Sequence, residues 1–376
     1  MDRESIKAEM DGRANEILMA RIEYEQDRSE ENGLEWIRRS MELGDLLFGQ
    51  GMYRDAECAY SRACEAGMEV CGYFPTAEVL RRLAGSFRAM GEACRLQGKM
   101  DAVKICYERT LDYCRRLLQS EAQPTLGDYR NYYVVLMGLG GFAREEGACN
   151  QAKEYYENGA GICRDLVAEF HDTGDRMNLA LFYALLGGLS RMMGKTKKAK
   201  LYYEQCVDLW ERILQGVRQE LQSDVLLQYA EALECLACMY QDDDEWAAAE
   251  SCHERCLPIL RQRLAETGSR DDAVRLSAAL EHLGIAMQMT GKAEASLEYL
   301  EQCLSLRSRL YQIQKTALSY DNLGLAYYNL AMGSTGENRE LYARKAYAVW
   351  EELCRLYPDS ETYQMRRATV IHDLLS

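Results

Sequence analysis

Along this chain a pattern of small and large residues returns seven times, and it restricts the possible folds severely. Leu280-x2-Leu283-Gly284-x2-Met287 and Tyr320-x2-Leu323-Gly324-x2-Tyr327 show its first half. Ala152-x3-Tyr156 and Ala199-x3-Tyr203-x2-Cys206 show its second. With the small residue of the first half as marker, the series runs Gly44, Gly91, Gly140, Gly187, Ala237, Gly284 and Gly324, at spacings of 47, 49, 47, 50, 47 and 40 residues. Each marker follows a Leu or Met (Leu43, Met90, Leu139, Leu186, Leu236, Leu283, Leu323). Self-similarity at such a period predicts units that cannot bury their apolar face alone and do so by stacking on the next.

Composition supports a helical array. At 376 residues the chain exceeds the usual size of one globular core, yet no compositional break divides it. A stacked array resolves this because its core grows lengthwise. Four prolines (Pro75, Pro124, Pro258, Pro358) and abundant Leu, Ala, Glu, Arg and Met predict an all-α chain with Pro expelled to connections. The net charge of −15 disfavours nucleic acid. No apolar run approaches the roughly 20 residues that span a bilayer, and no charged-then-apolar leader opens at Met1. No membrane partner is expected. The 15 cysteines fall on helical faces and are expected as reduced thiols of a cytoplasmic protein.

The second half of each unit pairs Ala with a large residue four positions on: Ala56 with Tyr60, Ala152 with Tyr156, Ala199 with Tyr203, Ala249 with His253 and Ala346 with Trp350. Spacing of four puts a dimple and a knob on one helical face. From about residue 37 to 358 this resembles the tetratricopeptide repeat, W-x2-L-G-x2-Y followed by A-x3-F and a closing Pro. The resemblance implies a right-handed α-solenoid of about seven helix-turn-helix repeats, in a long-helix variant. Its expected divisions are an N-terminal capping helix over 1–30, the repeat array over 31–358 and a C-terminal capping helix over 359–376. Ile6, Met10, Ile17, Leu18 and Ile22 mark the first cap, and 362–375 the second. Long helices account for the period, the stretch from Ala199 to Gln222 reading as unbroken. Inner turns recur at Gly51, Gly98, Gly147, Gly194 and Gly291. The fifth unit substitutes Asp242-Asp243-Asp244, the second reads as one residue short, and the last predicts a mobile surface loop from Gly333 to Asn338.

Motifs that suggest chemistry coincide with the repeat register. Gly138-Leu139-Gly140-Gly141-Phe142-Ala143 matches a dinucleotide fingerprint, but that loop must follow a strand and here sits inside a helix. Gly194-Lys195-Thr196 ends like a phosphate loop, but Leu189 holds the upstream glycine's place. Cys235, Cys238, Cys252, His253 and Cys256 could supply zinc ligands. Against zinc, Cys256 holds a slot filled by Cys206 and Cys303 elsewhere, and His253 the tyrosine slot. His171, His282 and His372 have no i, i+4 partner. The reading is therefore no catalytic residue, no metal and no cofactor.

In the architecture that the resemblance implies, the first helix of each unit lines a concave groove. Its groove positions fall on Arg38, Met41 and Asp45, then Arg88, Glu92 and Arg95, then Val134, Met137 and Arg144, then Leu181, Ala184 and Arg191. Arg95, Arg144 and Arg191 share one slot and are expected as a ladder for carboxylates or phosphates. Later units present Glu231, Glu234, Gln241, Glu281, Gln288 and Asp321, a more acidic end. The candidate binding residues are thus Arg38, Arg88, Arg95, Arg144, Arg191, Glu234, Glu281 and Asp321. The expected function is a non-enzymatic protein-interaction scaffold that holds an extended peptide or partner protein through acidic groups. The alternative is a ligand- or peptide-responsive regulatory module acting on an effector. The sequence leaves the oligomeric state open.

Overall fold

The computed structural model describes residues 3–120, 123–216 and 219–375, with side chains described outside 3–8, 219–222 and 375. Ile6 of the expected first cap lies outside the described side chains. The described residues are all-α, with no strand, and divide into two compact units, 1–189 and 190–376.

Unit 1 contains α1 (Arg3–Gln26), three antiparallel pairs and most of α8 (Thr173–Met192). The pairs are α2 (Glu30–Gly49) with α3 (Tyr53–Tyr73), α4 (Ala77–Leu96) with α5 (Met100–Gln119), and α6 (Leu126–Glu145) with α7 (Cys149–Phe170). Unit 2 takes the end of α8, then α9 (Thr196–Leu214), α10 (Gln219–Asp242) with α11 (Trp246–Thr267), α12 (Arg270–Met289) with α13 (Ala293–Ile313), and α14 (Ala317–Gly333) with α15 (Gly336–Leu356). It ends in α16 (Glu361–Val370) and a π-turn, Ile371–Leu375, both packed on α15. Helices near 20 residues long explain the period.

Each first helix starts on a side-chain cap where sequence permits. Ser29, Thr76, Thr125, Ser269 and Thr316 each accept a hydrogen bond from the backbone N–H three residues on. The second helices need no such cap, because the turn before them is closed by the backbone. Seven residues after the marker the chain adopts positive φ, at Gly51 (74°), Gly98 (74°), Gly147 (75°), Gly194 (70°), Asp244 (59°) and Gly291 (83°). The next N–H reaches back five residues, as in Lys99 N to Cys94 O (3.0 Å) and Glu245 N to Tyr240 O (2.8 Å). This is the Schellman closure. The second turn is therefore not short, and Asp244 fills the glycine position of the fifth.

Three further expectations are corrected. The stretch from Ala199 to Gln222 is not one helix, since α9 stops at Leu214. The connection after Gly333 is only Ser334 and Thr335, because α14 and α15 both extend toward their turn. Pro258 lies inside α11 rather than in a connection, so one N–H is absent from that helix's ladder.

The core of these pairs is a large side chain, most often a ring, in a glycine notch. A Cβ added at Gly44 or Gly140 would overlap the ring of Tyr60 or Tyr156, and one at Gly91 would stand 3.0 Å from Tyr107. Each tyrosine follows its notch by 16 residues, so the ring belongs to the same unit's second helix. Tyr107 also fills a notch at Gly138 on the next first helix. Leu300 takes the ring's place at Gly284, and Trp350 does so at Gly324.

Charged latches join successive pairs within each unit. On the first-helix side, Arg81 binds buried Asp128 (2.8 Å) and Arg130 binds buried Asp175 (2.8 Å). Near the inner turns, one slot repeats with its signs exchanged. Glu57 meets Lys99 (2.5 Å), Lys200 meets Glu245 (2.6 Å), and Glu250 meets Lys292.

Candidate functional site

In unit 1 the first helices α2, α4 and α6 touch in succession, whereas α3, α5 and α7 stand further from one another. The stack therefore closes toward the first-helix face, which carries the groove residues named from the sequence. On that face most charges are already engaged. Arg38 bonds Glu35 (2.5 Å) and Glu42 of its own helix. Arg95 bonds Glu92 (2.8 Å), which also accepts from the Tyr107 hydroxyl (2.5 Å). Asp45 accepts from the Tyr60 hydroxyl (2.8 Å). Burial first, and then the bonded carboxylate, raises the pKa of both tyrosines, so they remain neutral donors.

Arg88 and Arg144 differ. Among the described residues neither makes an ion pair, and Arg88 Nε is buried without a hydrogen-bond partner. Arg88 lies close enough to Tyr60 and Tyr107 to act on both. Between α4, α5 and α6 opens a cavity of about 200 Å³, lined in part by Arg95, Tyr107, Gly138, Gly141 and Phe142. Its one arginine, Arg95, is paired with Glu92, and Glu145 also lines it, so the guanidinium groups without a carboxylate, Arg88 and Arg144, lie outside its lining.

In unit 2 the sequence-named residues fare otherwise. Arg191 is exposed and stands 3.9 Å from Asp242. It lies in the other unit from Arg95 and Arg144, so the expected ladder is described only as far as Arg144. Glu234 bonds Arg275 (3.1 Å), which also holds Glu231 (3.0 Å). Burial raises the Glu234 pKa although Arg275 opposes the shift. Glu281 and Asp321 do not present an acidic surface. Glu281 is buried in a two-pronged pair with Arg307 (2.7 and 2.5 Å), and Asp321 is buried against Arg366 of α16 and the Trp350 indole N–H (2.8 Å). Both carboxylates serve packing between helices.

Arg307 is the residue that sequence reasoning missed. It stands 23 positions after its marker, and the same slot holds Gly67, Cys114, Cys163, Trp210 and Leu260 in the preceding repeats. A lone charge in an otherwise apolar register was the available signal.

The other motifs resolve into packing. Gly138 and Gly140 are ring notches. Gly194 is a turn glycine. His253 packs against His282, ring centroids 5.5 Å apart, and its Nε2 lies 3.3 Å from Gln241 Nε2. Burial pushes the His253 pKa down to about 3. No group of three or more His, Cys, Asp or Glu that could hold a metal occurs among the described residues, so Cys235, Cys238, Cys252, His253 and Cys256 do not form a zinc centre there. Cys64, Cys114, Cys163 and Cys256 are buried and unbridged, and burial raises their pKa, to about 12 for Cys114. They behave as small apolar residues. No described helix is long and apolar enough to cross a membrane.

Comparison with known proteins agrees with this geometry. The tetratricopeptide repeat family model matches residues 230–272 and 276–313, which fall on α10–α11 and α12–α13. None of the curated proteins compared with the chain is similar to it. The apo form of RapI superposes with a TM-score of 0.53 at 12% identity, over 90% of this chain and 82% of that one. A tetratricopeptide-repeat sensor ATPase, PH0952 from Pyrococcus horikoshii, gives 0.49 at 11% identity, over 93% and 51%. The kinesin light chain TPR-like repeats of Podosopora anserina give 0.41 at 20%, over 60% and 98%. At these identities the likeness concerns the fold alone.

Proposed function

Because this chain is a tetratricopeptide-repeat protein, a class of protein-interaction scaffolds, we propose that it docks an extended segment of a partner protein on the first-helix face of unit 1, through the partner's acidic groups. The observation that carries this reading is the pair Arg88 and Arg144. On a face where Arg38 and Arg95 are matched by carboxylates of their own helices, these two are left without one. The chain's net charge of −15 offers an acidic partner no general attraction, so local basic groups such as these two supply it. Binding through guanidinium groups at a partly exposed face weakens with salt.

The test is capture of partners from cell extract by the wild-type protein and by the Arg88→Glu/Arg144→Glu variant, both shown to melt alike. Proteins retained by the wild type at low salt and lost with the variant bear the reading out. An unchanged set removes the docking site from this face.

A further inference from the structure

The second and third pairs of unit 1 differ at one groove position. In the second, Glu92 follows the Gly91 notch and receives both the Tyr107 hydroxyl (2.5 Å) and Arg95 (2.8 Å). In the first, Asp45 follows Gly44 and receives Tyr60 (2.8 Å). The third pair keeps the tyrosine and the arginine at the offsets of the second, as Tyr156 and Arg144, but the residue after its notch is Gly141. A Cβ built on Gly141 meets nothing within 4 Å, so no side chain crowds the point from which Glu92 projects one repeat earlier. Tyr156 is 0% exposed and its hydroxyl has no hydrogen-bond partner. Arg144 lies near enough to act on it and has no ion pair among the described residues. A buried hydroxyl without a partner is a cost that native structures rarely carry without a use for it.

We propose that this slot binds the side-chain carboxylate of a glutamate or aspartate in the partner segment. That carboxylate takes the place Glu92 holds in the preceding repeat, with the Tyr156 hydroxyl and Arg144 as its donors. The proposal rests on the first-helix face being a docking surface and narrows it to one slot. The two donors are those that a single carboxylate satisfies in the second pair. A phosphate would bring more negative charge than a carboxylate toward exposed Glu145, which also acts on Tyr156.

The experiment titrates the purified full chain with acetyl-Ala-Glu-Ala-amide and follows the Nε–Hε resonance of Arg144, assigned with Arg144→Lys. The expected result is a saturable shift that the glutamine counterpart does not produce. Tyr156→Phe removes a buried hydroxyl that bonds nothing, so it melts no earlier than the wild type, yet binds the peptide at least about tenfold more weakly. Gly141→Glu supplies the carboxylate from within and abolishes the response, while Gly141→Ala retains it. An equal response to the glutamine peptide, a wild-type response in Gly141→Glu, or a response only to inorganic phosphate or to the chain-terminal carboxylate of acetyl-Ala-Ala-Ala would overturn the proposal. A silent slot with partner capture still abolished by Arg88→Glu/Arg144→Glu removes the slot alone. A responsive slot with capture unaffected removes the docking face instead.

Discussion

Gly140 and Gly141 are neighbours that make opposite demands on a side chain. Gly140 is the notch for the Tyr156 ring, and a methyl group there overlaps the ring, whereas Gly141 faces open space. Gly140→Ala is therefore expected to lose about 1–3 kcal/mol through overpacking. Gly141→Ala is expected to gain about 0.5–1 kcal/mol, because alanine loses less backbone freedom on entering a helix. Urea melts of the two variants check the prediction, and equal signs would refute the notch assignment. Side-chain size alone does not distinguish the two glycines, and the repeat register does: Gly140 sits where Gly44, Gly91, Gly284 and Gly324 sit.

At the level of helices, much of the architecture is legible in the sequence, since the marker glycine, the ring 16 residues on and the turn glycine seven residues on are local in one unit. What is illegible is what stands opposite. Offsets along a helix place Glu281 and Asp321 on the groove side, but the arginines that cover them come from α13 and α16, 26 and 45 positions away. The candidate site was half visible for the same reason. Arg144 could be named from its slot, whereas its lack of a carboxylate follows only from seeing that Glu145 does not pair with it. The buried pair between α12 and α13 yields a clear expectation. Arg307→Leu alone leaves Glu281 uncompensated in the core and costs about 3–5 kcal/mol. With Glu281→Leu added, the slot returns to the apolar kind found in other repeats, and stability recovers to wild type or rises by about 1–4 kcal/mol. Chemical denaturation of the three proteins tests this, and a double variant as weak as the single would contradict it.

For the whole chain, acid sensitivity is unevenly placed. His253 is buried and His282 half-buried in unit 2, and desolvation lowers the pKa of each, that of His253 to about 3. A histidine with a depressed folded pKa binds its proton more readily when unfolded. The stability that His253 contributes is therefore complete above pH ~6.5 and lost as pH falls toward 3, a change on the order of 3–5 kcal/mol, and His282 acts in the same direction. Hydrogen exchange at pH 5 and 7, corrected for intrinsic rates, should show α11 and α12 loosening before the helices of unit 1. His253→Tyr, which installs the residue found at Tyr60, Tyr107, Tyr156 and Tyr203, should flatten the response. Equal loosening of unit 1 would show that other groups govern it. The exchanged signs of the latches bear on how such a chain can be rearranged. The fifth repeat offers glutamates in both directions, Glu245 to Lys200 behind it and Glu250 to Lys292 ahead. Excising that repeat would splice a lysine onto a lysine, so an in-frame deletion of one period cannot heal its own seam. The order of the modules is written into their junctions, and shuffling them is opposed even though six of the hairpins close alike.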